Sequence, residues 1–228
     1  MVPEPQSTLA SRTRIYSEDF EFSAARLVNA ARGRGPGGAI SVGFPQPFRC
    51  LPSRVLAGRY MLRQVRVDQG RRWPIQRPEH VAVVDLQGET LCFRMRKLLF
   101  FEPSLRLSTI ANLQPQWLAF EMPTIPCISG HGLVAFSVGS DAAVLSAGDS
   151  EGLQHHPSTE QATLDRLVAW STDTQLCIDA ASGWNNLLTY APPGCSATAG
   201  SLVIVSRAHG ENDSDLGVFA RLLRFVLP

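Results

Sequence analysis

Two adjacent histidines followed by a glutamate form the cluster in this sequence that most resembles a metal site. They are His155, His156 and Glu160. Two histidines and a carboxylate that converge can hold iron or manganese. Adjacent residues of a strand, however, point to opposite faces, so a productive pair would be spaced His-x-His. A solvated loop is therefore the favoured interpretation of this cluster.

The alternative to a solvated loop is that these three residues bind a metal ion in a cupin-like, metal-dependent enzyme. Its second ligand motif would need a further histidine, and His209 lies in a charged stretch that is typical of a loop. The sequence therefore predicts no bound cofactor.

The sequence evidence for a catalytic nucleophile is weaker than the evidence for a metal site. Ser129 and His131 flank Gly130, but the elbow G-x-S-x-G is absent, and turn chemistry explains them more simply. Cys127 would be reactive only beside a base or a helix N-terminus, and the sequence places neither next to it. The stretch GRGPGG lacks the Lys-Ser/Thr ending of a phosphate-binding loop. No catalytic residues are predicted.

A local group of arginines could bind single-stranded RNA by charge and by stacking with Trp73. Its members are Arg54, Arg63, Arg71 and Arg72. Acidic residues are interspersed and the formal net charge is only +1, so a solvated surface is favoured and an RNA-binding β module is the less favoured function.

The elements that would position these residues are short strands. From His80 to Thr109 apolar and polar residues alternate with a period of two, as in half-buried strands. Asp85–Gly88 is predicted as a turn, and so is Gly130–Gly132. The apolar run Leu98–Phe101 predicts a strand covered on both faces. The prolines at 115, 123 and 126 predict short or edge strands between them.

The chain of 228 residues is expected to be all-β apart from its start. Residues 1–38 are predicted to form a flexible extension with a short helix at 17–32, because Phe20, Ala24, Leu27 and Val28 share one helical face. Residues 39–228 are predicted to form a single β domain. We find no secretory signal and no transmembrane segment.

Two segments of the predicted β domain resemble each other. RKLLFFEPSLRL and DRLVAWSTDTQLCI each place an apolar run ending in an aromatic residue before a polar turn and a new strand, with Leu98 about 69 residues before Leu167. We therefore predict two pseudo-repeats, about 48–122 and 123–207, followed by a C-terminal segment. Packed face to face, they would form a β-sandwich or a double-stranded β-helix.

Three segments of the second half resemble the AIM24 family, whose members have the fold of the tryptophan RNA-binding attenuation protein. They are ISGHGLVAFS, the run Asp165–Trp170 and GSLVIVSR. LLFFEPSLRL is similar to the family's first-half counterpart, so that the resemblance covers about Phe48 to Arg207. The positions that match its structural motif are Gly130, Gly132, Asp165, Trp170, Gly200 and Arg207.

The resemblance implies a TRAP-like β fold and self-association, with a trimer suspected because prokaryotic members look like trimers. It implies no catalytic residue set, so a non-enzymatic scaffold or interaction protein is the favoured function. Five widely spaced cysteines without a CxxC pair suit reduced thiols in a reducing compartment. A cytoplasmic location is favoured, with a mitochondrial one if the protein is eukaryotic.

Overall fold

The computed structural model describes residues 8–31, 40–43, 62–75, 79–111, 124–145, 162–163, 167–178, 194–199 and 202–206. This part of the chain is all-β, as predicted, and its one helical element is the single 3₁₀ turn Met95–Lys97. The strands are β1 (Thr13–Tyr16), β2 (Phe20–Glu21), β3 (Arg26–Ala30), β4 (Ile40–Gly43), β5 (Arg63–Val67), β6 (Arg72–Trp73), β7 (His80–Phe93), β8 (Leu98–Phe101), β9 (Arg106–Ala111), β10 (Thr124–Val138), β11 (Ala143–Leu145), β12 (Ala162–Thr163), β13 (Leu167–Ser171), β14 (Gln175–Ile178), β15 (Gly194–Ala199) and β16 (Val203–Val205).

One large antiparallel sheet contains eleven of these strands. Its order is β11-β16-β13-β7-β10-β8-β3-β5-β4, while β1 pairs with β7 and β9 pairs with β10. The strands β12-β15-β14 form a second sheet, and β2 pairs with β6. The two longest strands, β7 and β10, thus lie at the centre, and the other parts of the sheet are arranged around their ladder.

The ladder between β7 and β10 contains a β-bulge at its middle. Gly88 and Glu89 on β7 stand opposite the single residue Gly130 on β10, and the pairing is regular on both sides of this point. We call these three residues the central bulge. The extra residue lets Leu86 and Leu91, five positions apart, point to the same face.

The turns predicted at Asp85–Gly88 and at Gly130–Gly132 are therefore wrong. Both glycine segments lie inside continuous strands, of 14 and 15 residues. The glycines do adopt the positive φ that suggested a turn, at 112° for Gly88 and 122° for Gly130, but a bulge uses that conformation to bend a strand and not to reverse it.

The prolines predict strands that are short or at an edge. At Pro126 the strand is not short, because β10 has 15 residues, but its pairing there is one-sided, which agrees with the edge alternative. At this position β10 pairs with Thr109 of β9, and the ladder to β7 begins only at the next residue, Cys127. Pro126 thus lies at a position where β10 is paired on one side only, and a residue without an N–H is tolerated at such a position. Leu98–Phe101 is a fully buried strand, as predicted.

Apolar side chains cover both faces of the large sheet, which gives the fold its sandwich character. The largest cluster lies on one face and includes Leu91, Phe93 and Phe136. A second cluster lies on the opposite face around Phe100, and a third contains Cys92, Cys127 and Trp170. Burial on two sides explains why β8 reads as a continuous apolar run.

The helix predicted at 17–32 is wrong, because this segment forms β2 and β3. On the predicted helical face, Ala24 and Leu27 are exposed. Every second residue instead contributes to the same apolar cluster, Phe20 with Phe22 and Val28 with Ala30. Pairing of β3 with β5 and β8 satisfies the backbone and buries these side chains, so the tertiary contacts override the helical pattern. Residues 8–31 lie within the β fold and not outside it.

The segments around Leu98 and Leu167, which the sequence predicts to be equivalent parts of two repeats, occupy equivalent positions beside the β7–β10 ladder. β8, which contains Leu98, pairs with the second half of β10, and β13, which contains Leu167, pairs with the second half of β7. The first halves of β7 and β10 are flanked by β1 and β9. The repeat boundaries at 48–122 and 123–207 stay a prediction.

Candidate functional site

The central bulge is held from one side by an ion pair. Arg12, in the turn before β1, binds the carboxylate of Glu89 and also donates to the carbonyl of Asp85 at 3.0 Å. The second oxygen of Glu89 accepts the backbone N–H of Gln87 at 2.6 Å. Burial alone would raise the pKa of Glu89, but the hydrogen bonds from Arg12 and Gln87 outweigh it and the pKa lies below its ordinary value.

A second ion pair lies at the other side of the bulge. Glu102, directly after β8, binds Arg26 of β3 with one carboxylate oxygen. Its other oxygen accepts the backbone N–H of Leu133 at 2.9 Å, and its own N–H donates to the Leu133 carbonyl at 3.0 Å. Glu102 therefore ties three strands together: β3, β8 and β10.

The glycines of the GHG segment make room for this arrangement. A Cβ at Gly132 would stand 2.5 Å from Glu102 Oε2 and 2.7 Å from Ser104 Oγ, and a Cβ at Gly130 would stand 2.9 Å from the Ser104 carbonyl oxygen. The turn that follows β8 thus lies directly on the backbone of β10. The two motif glycines serve packing, which a resemblance based on motifs alone did not reveal.

The most reactive groups brought together are two thiols. Cys92 of β7 and Cys127 of β10 are direct partners in the ladder, their Sγ atoms are 3.2 Å apart, and both side chains are buried. Sequence reasoning examined Cys127 alone and missed its partner. Pairing the two long apolar strands as one antiparallel ladder would have brought the cysteines together.

Backbone direction shows why the sulfur atoms are so close. The N–H of Thr172, which follows β13, donates to the carbonyl of Thr90 at 3.2 Å. Cys92, two residues further along β7, directs its own backbone groups to the same side, away from β10. Cys92 and Cys127 are therefore a non-hydrogen-bonded pair, the type in which opposed side chains approach most closely.

The two thiols differ in acidity. A hydrogen bond from the Cys127 thiol lowers the pKa of Cys92, although burial acts in the opposite direction. The same hydrogen bond and burial raise the pKa of Cys127. The Cys127 Sγ also lies 3.7 Å from the carbonyl oxygen of Ile125, to which its thiol can donate, and this contact favours the protonated form of Cys127. We therefore assign Cys92 as the sulfur that ionises first.

The three residues of the less favoured metal-site alternative, His155, His156 and Glu160, lie outside the described residues, and so do the motif positions Asp165, Gly200 and Arg207. Within the described ranges no group of three or more His, Cys, Asp or Glu side chains could hold a metal ion. Trp170 lies in β13 and is buried in the third apolar cluster, beside Cys92 in the ladder.

RNA binding by the arginine group is the less favoured alternative, and the aromatic ring expected to assist it, Trp73, is not available for stacking. Trp73 is buried, with its ring centroid 4.7 Å from that of Phe100. Arg72 pairs with Glu21 at 3.1 Å, Arg63 is exposed on β5, and Arg54 lies outside the described residues. Since Trp73 serves the core, the stacking contribution expected from it is lost.

A polar cleft of about 380 Å³ lies beside the β2–β6 pair. Three acidic residues, Glu18, Asp19 and Glu21, are among those that line it, together with Arg72. Asp19 accepts the backbone N–H of Ile75 at 2.9 Å, which fixes the end of β6 to the start of β2. We therefore interpret the cleft as a structural feature of the β2–β6 pair.

The fold defines the chain as an all-β protein built on a large antiparallel sheet. It is similar in structure to the protein SPYM3_0169 of Streptococcus pyogenes, known from a crystal structure: the TM-score is 0.52 and the sequence identity 11%, with 95% of this chain and 100% of that chain covered. At this identity the likeness shows the fold alone. The chain matches no protein-family model and no curated protein. The part of the chain that the structure describes contains no helix suited to crossing a membrane.

Proposed function

We propose that this protein is a non-enzymatic scaffold of the AIM24-like type that self-associates through the ends of its large sheet. The observation that carries the proposal is the composition of the two end strands. β4 (Ile40–Gly43) and β11 (Ala143–Leu145) each pair on one side within the described residues, and neither contains a charged residue or a proline.

Unprotected end strands favour association because each offers backbone donors and acceptors to another strand. Proteins that stay monomeric usually guard such edges with lysine, proline or inward-pointing charges. A strand of a second copy that adds to such an edge gains main-chain hydrogen bonds and extends the sheet. The motif resemblance to the AIM24 family supports the same proposal, since prokaryotic members of that family look like trimers.

The outward backbone groups of β11 can be assigned to one residue. Ser171 donates its N–H to the Leu202 carbonyl at 3.0 Å, so Leu202 faces β13, and by alternation Val203 and Val205 face β11. Their ladder partners Leu145 and Ala143 therefore face inward. The N–H and C=O of Val144 then point away from β16, to the side on which the described residues provide no partner strand.

Multi-angle light scattering over a dilution series tests the proposal. The full chain should give a mass of two or more times 24.9 kDa at micromolar concentration, and three times that value if the trimer is correct. A mass of 24.9 kDa throughout the series would contradict self-association.

A pair of variants then tests whether β11 is the contact. Val144→Pro removes the outward N–H without removing a ladder hydrogen bond, while Val144→Ala removes a similar amount of side-chain packing and keeps the N–H. We expect the proline variant to shift the dilution series toward the monomer and the alanine variant to behave like the wild type. Equal masses for the two variants would show that association does not use this edge.

A further inference from the structure

We propose that Cys92 and Cys127 form an oxidisable dithiol that a hydroperoxide converts into a disulfide across the β7–β10 ladder. This goes beyond the proposed scaffold role, because it assigns a modification site to the centre of the fold. Three observations support it: the register, the sulfur separation and the surroundings of the pair.

The register provides the geometry that a disulfide needs. The cysteines are directly opposed at a non-hydrogen-bonded position, where the Cα atoms of antiparallel strands are about 4.5 Å apart. Disulfides form between Cα atoms separated by about 4.4–6.8 Å. The strands therefore already hold the two residues within the permitted range.

The sulfur atoms need to move only a short way. They are 3.2 Å apart, and a disulfide bond is about 2.05 Å long, so a small rotation of the side chains closes the gap. No third metal-ligating side chain joins the two thiols within the described residues, so an oxidised dithiol fits this geometry better than a zinc site, which needs four ligands.

The surroundings select the oxidant. The pair lies in an apolar cluster with Ile125, Leu167 and Trp170, and both thiols are buried. A small, neutral hydroperoxide can enter such a site through local opening more readily than a charged disulfide such as oxidised glutathione. We therefore assign hydrogen peroxide or a small alkyl hydroperoxide as the reactant class.

The reaction proceeds in two balanced steps. The Cys92 sulfur, having lost its proton, attacks one peroxide oxygen; an S–O bond forms, the O–O bond breaks, and the leaving oxygen takes up the proton as water or an alcohol. The Cys127 sulfur then attacks the Cys92 sulfenic acid; the S–S bond forms, the S–O bond breaks, and the hydroxide leaves with the Cys127 proton as water. The two electrons lost by the sulfur pair reduce the peroxide.

Intact-mass spectrometry and peptide mapping of the reduced full chain, before and after addition of hydrogen peroxide, test this proposal. We expect a mass decrease of about 2 Da, a linked peptide that joins Cys92 to Cys127, and full reversal by dithiothreitol. An increase of about 16 or 32 Da at either cysteine with no linked peptide would overturn the proposal.

Trapping the intermediate with dimedone provides a matched control. In Cys127→Ser the Cys92 sulfenic acid has no partner and should accumulate a dimedone label at Cys92, whereas the wild type should carry little. Cys177→Ser, which leaves the pair intact, should behave like the wild type. Equal dimedone labelling at Cys92 in wild type and Cys127→Ser would contradict the assignment. If Cys127→Ser does not fold, the linked peptide of the wild type decides alone.

Discussion

A Cβ atom at Gly132 would stand 2.5 Å from Oε2 of Glu102, so the space of the missing side chain is filled by that carboxylate. The same oxygen accepts the backbone N–H of Leu133, and the other oxygen binds Arg26. Gly132 also has a φ of 144°, a backbone conformation that residues other than glycine rarely adopt. This one glycine therefore leaves the space in which Glu102 joins β3 and β8 to β10.

Gly132→Ala should destabilise the protein strongly. The backbone conformation contributes a cost of about 1–3 kcal/mol. Displacement of the Glu102 carboxylate and the Ser104 hydroxyl contributes a similar amount, about 1–3 kcal/mol. Urea denaturation followed by circular dichroism measures the sum.

Gly70→Ala is the matched control for this substitution. Gly70 also has a positive φ, at 75°, but no atom lies within 4 Å of the position of its Cβ. Its cost should be the backbone contribution alone, about 1–2 kcal/mol. Equal losses in the two variants would show that the contact with Glu102 is unimportant.

Glu89→Gln should lower stability at neutral pH and have less effect in acid. Because its pKa is lowered in the folded protein, the Glu89 carboxylate contributes stability above its ordinary pKa of 4.5, and this contribution is lost as the pH falls through the folded value. The glutamate side chain is 36% exposed, so the difference at pH 7 should be at most about 1 kcal/mol. Urea midpoints at pH 7 and at about pH 3 measure it. A difference that is the same at both pH values would contradict the assigned ion pair with Arg12.

Phe22→Ala should cost about 3–5 kcal/mol, because Phe22 is buried and its ring lies 5.0 Å from that of Phe20 and 5.3 Å from that of Phe100. Ile110→Ala, at a side chain that is 45% exposed, is the control and should cost well under that amount. Thermal unfolding compares the two. If Phe22→Ala behaved like Ile110→Ala, residues 8–31 would be an appendage and not part of the core.

The all-β class and the buried strand β8 could be predicted because both depend on local patterns of apolar residues. The helix at 17–32 was predicted wrongly because Phe20 and Val28 fit a period of 3.6 as well as a period of two. Only the partners of β2 and β3, more than 30 residues away, decide between the two structures. Single-sequence patterns do not contain that information.

The central site was less predictable than the fold. Gly88 and Gly130 were identified as positions of unusual backbone, but a turn and a bulge place the same demand on φ, and the difference lies in the partner strand. The Cys92–Cys127 pair depends on the register of two strands 35 residues apart, and the ion pair between Arg26 and Glu102 spans 76 residues. No local sequence pattern predicts contacts between residues at either separation.

Residue-resolved amide hydrogen exchange at Val144 tests the proposed assembly through β11 most directly. Val144 directs its N–H away from β16, while Ala143 and Leu145, its neighbours in β11, direct theirs toward it. Exchange at Val144 should therefore slow as protein concentration rises and the edge becomes paired, with little change at Ala143 and Leu145. Exchange at Val144 that stays as fast in the concentrated protein as in the dilute protein would contradict the account.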